Sequence, residues 1–290
     1  MKRNKPRVSR KGSRAANWLA VLVLLVCVST AAVLCGLALR ELGERGQSNG
    51  YYQELSGALH RETDSPAQTS TTAAPTDAPS APATDAPATD APAASQPAPS
   101  DTPAPGSAID FDLLRQTCPD VVGWIAIEDT QIDYPVVQGK DNAFYLDHLP
   151  DGTQNAAGSI MMDAACDGLF GDEINILHGH HMKNRSMFGG LDFYREEAYY
   201  LEHPTIRLFT PDGDREAAIF AAFSVDGEAF GYPTVFASDE AFAAFLEQAR
   251  EKSAFQADVQ VTRGDRLLIL STCAYSYETE RLLVVAKIIE

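Results

Sequence analysis

The sequence predicts a mostly β domain over residues 109–290, a barrel or sandwich, preceded by one transmembrane helix and a disordered linker. Three observations predict it. Residues 109–290 contain seven or more short apolar, β-branched runs separated by turn signals, with few helical patterns. Residues 18–39 form an uninterrupted apolar run. Residues 65–105 are almost entirely Ala, Pro, Thr, Ser, Asp and Gln.

The chain has 290 residues and a formal net charge of −17, but the charge is segregated. Seven basic and no acidic side chains lie in the first fourteen residues. Everything after residue 39 is acidic on balance. An acidic body is a poor nucleic-acid binder, because that binding neutralises phosphates with Lys and Arg, so no nucleic-acid partner is expected.

Residues 1–17 read as a basic tip that stays in the cytoplasm by the positive-inside rule. Residues 18–39, WLAVLVLLVCVSTAAVLCGLAL, number 22. At about 1.5 Å per residue they span a hydrocarbon core of roughly 30 Å. The rival reading is a cleaved signal peptide, whose apolar region is shorter, about 7–15 residues. A lipoprotein site at Cys35 is disfavoured by the bulky Leu34 before it. The expected location is therefore the cell membrane, single-pass, with the remainder outside.

Residues 40–108 read as an extracellular linker. Residues 41–64 can extend the anchor as a short helix, on a weak pattern. From 65 to 105 a loose Thr-Asp-Ala-Pro repeat recurs, and no large apolar side chain offsets the entropy of ordering. Extended as polyproline II, about forty residues reach roughly 120 Å, a spacer between membrane and domain.

Within 109–290 the elements follow in order. A short helix is expected at 109–117, with Phe111, Leu113 and Leu114 on one side and Pro119 ending it. Strands are expected at 121–127, 132–137, 158–162, 174–178, 205–209, 217–225, 259–262, 267–271 and 282–289. Pro211-Asp212-Gly213-Asp214 and Arg263-Gly264-Asp265 supply turns. The clearest helix is Asp239–Lys252, N-capped by Ser238, with Phe242, Phe245, Leu246 and Ala249 as its apolar stripe.

Three features carry chemistry. LLILSTC (267–273) is an apolar strand ending at Cys273. INILHGHHM (174–182) is another, ending in His178, His180 and His181. Arg281 opens the last strand. An ordinary thiol has a pKa of about 8.5, so a nucleophilic cysteine needs a basic or cationic neighbour. A histidine can provide this and later protonate a leaving amine. An arginine is always charged and can hold a developing oxyanion. Together they suit acyl transfer. Taken singly, a strand-end cysteine is more often core, and a single arginine more often a surface charge. Zinc on the three histidines is the rival reading. Extended backbone sends His178 and His180 to one side and His181 to the other, and no HExxH motif is present, so no metal and no cofactor is expected. Of the exported cysteines Cys118, Cys166 and Cys273, at least one is unpaired unless chains cross-link; a Cys118–Cys166 disulfide stays open, with no spacing rule behind it.

The residues of this domain also resemble a known family. Pro119-Asp120-Val121-Val122-Gly123-Trp124-Ile125, Ile132-Asp133-Tyr134-Pro135-Val136-Val137-Gln138 and Asp141-Asn142 with Phe144-Tyr145-Leu146 match its opening segment. Gly158-Ser159-Ile160 with Asp163 continues it. Gly179-His180-His181-Met182-Lys183-Asn184 and Ser186-Met187-Phe188 resemble its catalytic-histidine loop, and Leu270-Ser271-Thr272-Cys273, Arg281 and Val284-Val285-Ala286-Lys287 its closing strands. The domain is identified as resembling a class B sortase, a membrane-anchored cysteine transpeptidase of Gram-positive bacteria.

The resemblance implies an eight-stranded β-barrel with an N-terminal helix and, before the nucleophile strand, an inserted helix at Asp239–Lys252. It implies Cys273 as nucleophile, His180 as acid/base and Arg281 as the residue that orients substrate and steadies the oxyanion. Ser271 and Thr272 fall where the family lines its substrate groove. The implied reaction cleaves a C-terminal sorting signal, of Asn-Pro-x-Thr-x or Pro-x-Thr-Gly type, through a thioacyl intermediate. The implied partners are surface proteins bearing that signal and a peptidoglycan precursor (lipid II) amine. A pilin lysine as acceptor, hydrolysis, and a non-enzymatic surface binding module are the alternatives. The chain departs from the pattern at Cys118, read as incidental, and at His178, which either tunes His180 or fills a strand position. Residues 274–280, AYSYETE, form a shorter segment with no acid directly after the cysteine.

Overall fold

The computed structural model describes residues 12–63, 107–227, 229–273 and 280–289. Helix α1 spans Gly12–Thr63. Helix α2, Phe111–Thr117, is N-capped by Asp110, whose carboxylate accepts from Leu113 N. Phe111 and Leu114 are buried, but Leu113, expected on the same side, is 44% exposed. The strands are β1 (Val121–Ala126), β2 (Asp133–Val137), β3 (Ile160–Met162), β4 (Ile174–His180), β5 (Thr205–Thr210), β6 (Gly213–Asp226), β7 (Leu267–Cys273) and β8 (Glu280–Ile289). Helix α3, Glu197–Glu202, precedes β5, and helix α4, Asp239–Lys252, lies between β6 and β7.

The eight strands close into a barrel in the order β1-β2-β3-β4-β7-β8-β6-β5. β2–β3 and β4–β7 are parallel; the other pairs are antiparallel. The parallel pair β4–β7 accounts for the unalternating LLIL and for INIL, in which even Asn175 is fully buried. Such strands are covered on both faces, so apolar residues follow one another without alternation. Ile174, Ile176 and Leu177 and all of Leu267–Leu270 are fully buried. The outer cover comes from the segment after β6, where Thr234 O accepts from Ile174 N and Phe236 N donates to Glu173. Helix α4 then packs on β6 through Phe242, Phe245 and Ala249, capped by the Ser238 hydroxyl as expected.

The expected strand at 259–262 does not form. A closed barrel offers it no edge. Its carbonyls instead accept from side chains, Val259 O from Arg250 and Gln260 O from Lys287. β-Branched content alone does not create a strand where no partner strand is available.

Helix α1 contains the apolar run 18–39. Among the described residues, no helix is long and apolar enough to cross a membrane, so the anchor rests on the sequence. Residues 48–57, inside the span read as linker, are helical and lie against the barrel. Tyr52 is 5% exposed, donates to Gly158 O at 2.7 Å and meets the Tyr134 ring edge-on at 5.0 Å. Ser56 bonds Asp133. Residues 64–106, which hold the Pro-rich repeat, lie outside the described residues.

Candidate active site

β4, β7 and β8 are consecutive in the barrel, and parallel β4–β7 with antiparallel β8 brings three chain positions to one end. The register pairs His178 with Ser271, Gly179 with Thr272 and His180 with Cys273. Paired strands stand about 4.8 Å apart, so the backbones of His180 and Cys273 are direct neighbours. Arg281, second residue of β8, lies beside them. Its Nη1 donates to Thr272 O at 3.0 Å, and Leu282 N donates to the Thr272 hydroxyl at 3.1 Å. The arginine stem runs directly over Gly227, where a Cβ would collide with its Cγ, Cδ and Nε; only glycine leaves that path open. Residues 274–279, most of the AYSYETE segment, lie outside the described residues.

His180 is held by a backbone group the sequence did not single out. Its Nε2 lies 2.6 Å from Leu146 O. A carbonyl only accepts, so Nε2 carries the proton and the neutral ring keeps its lone pair on Nδ1, the atom that can take a thiol proton. Burial lowers the His180 pKa and Arg281 lowers it further, against the Leu146 carbonyl and Asp147, which raise it. The net effect favours the neutral ring. The unfolded chain therefore binds more protons here: this contribution to stability is full above about 6.5 and falls as pH drops below that. Removing the positive charge with Arg281→Met should raise the His180 pKa, read as an upward shift of its ring C–H NMR titration; no shift or a downward one contradicts the electrostatic coupling.

Leu146 O is fixed from behind by Gly158. This glycine has φ +58, and a Cβ on it would sit 2.5 Å from Leu146 O. Gly158→Ala combines left-handed strain with a backbone clash, so a destabilisation of about 2 kcal/mol or more is expected, measured as denaturant midpoint. An unchanged midpoint contradicts it.

The three histidines do not converge. His178 Nε2 is 2.9 Å from Asp163, His180 bonds Leu146, and His181 Nε2 is 2.5 Å from Asp192. Among the described residues no group of three His, Cys, Asp or Glu side chains could hold a metal ion. His178 is 8% exposed and edge-on to Tyr232, so it fills a buried strand position with its own carboxylate partner. Ser271 is fully buried, its hydroxyl 2.7 Å from Tyr232 Oη. Thr272 is 5% exposed and its polar groups are engaged by β8. Both thus hold other site elements in place rather than presenting open surface. Cys118 and Cys166 are buried free thiols, which leaves the disulfide unformed.

A closed β-barrel with a strand-end cysteine, a half-buried histidine and an arginine brought to one rim is an architecture suited to cysteine acyl transfer. No family model matches the chain. Two curated relatives do. Sortase B of Staphylococcus aureus is 36% identical over 182 residues, covering 62% of this chain and 75% of that protein. Sortase B of Listeria monocytogenes is 34% identical over 178 residues, covering 61% and 72%. Among solved structures, the Staphylococcus aureus sortase B–substrate complex matches with a TM-score of 0.59 at 36% identity, over 62% of this chain and 84% of that one. The chain belongs to the sortase B family and is a cysteine transpeptidase.

Proposed function

We propose that this transpeptidase cleaves a C-terminal sorting signal of Asn-Pro-x-Thr-x or Pro-x-Thr-Gly type and transfers the new carboxyl end to a peptidoglycan amine carried by lipid II. The observation that carries the reading is the β4–β7 register, His180 opposite Cys273, with Arg281 opening the next strand. Cys273 is the nucleophile. His180 Nδ1 takes its proton, and the sulfur attacks the scissile Thr carbonyl. Arg281 steadies the oxyanion with guanidinium donors beyond the one given to Thr272 O. His180 then protonates the leaving amine, and a thioester remains on Cys273. The acceptor amine attacks it and gives its proton to His180, the carbon–sulfur bond breaks, and His180 returns that proton to the leaving thiolate, which restores the Cys273 thiol and the neutral imidazole. Ser271 and Thr272 serve the substrate groove through Tyr232 and Arg281, which they hold. That the Staphylococcus aureus sortase B has been solved as a substrate complex supports a substrate site on this fold.

The reading places residues 1–17 in the cytoplasm, 18–39 in the membrane, 40–108 outside as the connecting segment and 109–290 as the catalytic domain. Eight large apolar side chains from Leu22 to Leu37 are each more than half exposed on α1, which suits lipid and not water. The test is a panel of candidate sorting peptides incubated with the full chain, with and without an amine acceptor, and analysed by mass spectrometry. Cleavage after Thr with an acceptor-ligated product supports the proposal. Ligation only to a pilin-type lysine moves the acceptor, and cleavage of none of the peptides overturns it.

A further inference from the structure

The loop after His180 is held in strained backbone. Arg185 has φ 68 and Met187 φ 54, neither a glycine. Such residues persist where surrounding contacts over-determine them, and they cluster at functional sites. Here the contacts converge on one carboxylate, Asp192, in the 3₁₀ segment Gly189–Arg195. His181, next after His180, places Nε2 2.5 Å from Asp192 Oδ2. Arg185 Nη1 donates to the same oxygen at 2.9 Å and to Gly189 O at 3.3 Å, while its guanidinium covers the Phe193 ring at 4.9 Å. The other carboxylate oxygen lies 3.7 Å from Arg195 Nε. Arg195 Nη2 in turn donates to Glu280 Oε1 at 3.3 Å, and Glu280 immediately precedes Arg281. The bracket therefore starts one residue after the proposed acid/base and ends one residue before the proposed oxyanion arginine. It links the loop leaving β4 to the start of β8, the two strands that flank the one carrying Cys273.

We propose that Asp192 is a positioning residue for this reaction: it clamps the strained loop that follows His180 and, through Arg195 and Glu280, sets the start of the strand that carries Arg281. The inference rests on the roles proposed above for His180 and Arg281. The ion pairs are partly exposed, so each is individually weak; their value lies in the shared hub and in the two segments they tie. A misplacement of the acid/base or of the oxyanion donor slows the chemical step more than it weakens substrate binding.

The experiment compares Asp192→Ala, Asp192→Glu, Arg195→Met and the double variant Asp192→Ala/Arg195→Met in the full chain, with kcat and KM measured on a cleaved sorting peptide and Cys273→Ala as the inactive control. The expected result for Asp192→Ala is a fall in kcat of about tenfold with KM within about twofold, restored to within about threefold of the parent by Asp192→Glu. Arg195→Met should lower kcat by about threefold, with the double variant no worse than Asp192→Ala alone. Unchanged kcat, a loss confined to KM, or Asp192→Glu as poor as Asp192→Ala overturns the proposal. The His180 ring C–H resonance is followed in the same variants, since it reads the bracket without any turnover. A changed His180 resonance in Asp192→Ala supports the clamp even where no peptide is cleaved and the functional reading itself has failed; an unchanged one counts against the clamp alone.

Discussion

Replacing Cys273 with alanine removes turnover of the sorting peptide, with a loss of at least about a thousandfold expected. The size follows from covalent catalysis: without the sulfur there is no thioester, and the remaining groups can only polarise a carbonyl toward water. Neither other thiol of the domain can stand in. Cys118 is fully buried, with Tyr51 Oη 3.3 Å from its sulfur. Cys166 is 7% exposed, and burial pushes its thiol up to about 11, so it supplies almost no thiolate near neutral pH. The check is peptide cleavage together with mass spectrometry of the trapped acyl-enzyme. Persistent cleavage in Cys273→Ala refutes the nucleophile, and an acyl adduct on another residue relocates it.

Arg281→Lys lowers kcat by about a hundredfold while keeping the charge. The guanidinium spends one donor on Thr272 O at 3.0 Å and directs its others from a stem laid over Gly227. An ammonium on a flexible stem is a single donor point. It can keep the Thr272 contact or reach the oxyanion, but not both with the same geometry. The loss should fall on kcat, because the oxyanion exists only past the ground state. Near-normal kcat in Arg281→Lys would sink the assignment. A rise in KM alone would make Arg281 a substrate anchor instead.

The strands were legible because each holds an apolar run between turn residues, and LLIL, apolar without a break, became one half of the doubly covered parallel pair. The candidate site residues stood out in the sequence for the same reason: Cys273, His180 and Arg281 all stand at or next to strand ends. Residues 259–262 were misread because composition does not reveal whether an edge is left to pair with. Tyr52 was missed because the adjacent Tyr51-Tyr52 pair in an otherwise mostly polar stretch sets up no long apolar stripe. Leu146 could not be found from its side chain, since its carbonyl is what bonds His180. Asp192 carried no motif; its weight comes from His181, Arg185 and Arg195 meeting at one point.

By itself the sequence determined the division into basic tip, apolar run, Pro-rich stretch and β domain, because each of these is a local property of composition and spacing. It also singled out the thiol, imidazole and guanidinium. Only the tertiary structure decided how they combine. Cys273 and His180 are 93 residues apart in the chain and become neighbours through one parallel pairing inside a closed barrel. The helix at 48–57 left the linker and joined the barrel by the same logic. Long-range pairing depends on which edges and faces remain open once every other strand has chosen its partner, and no local run of residues encodes that choice.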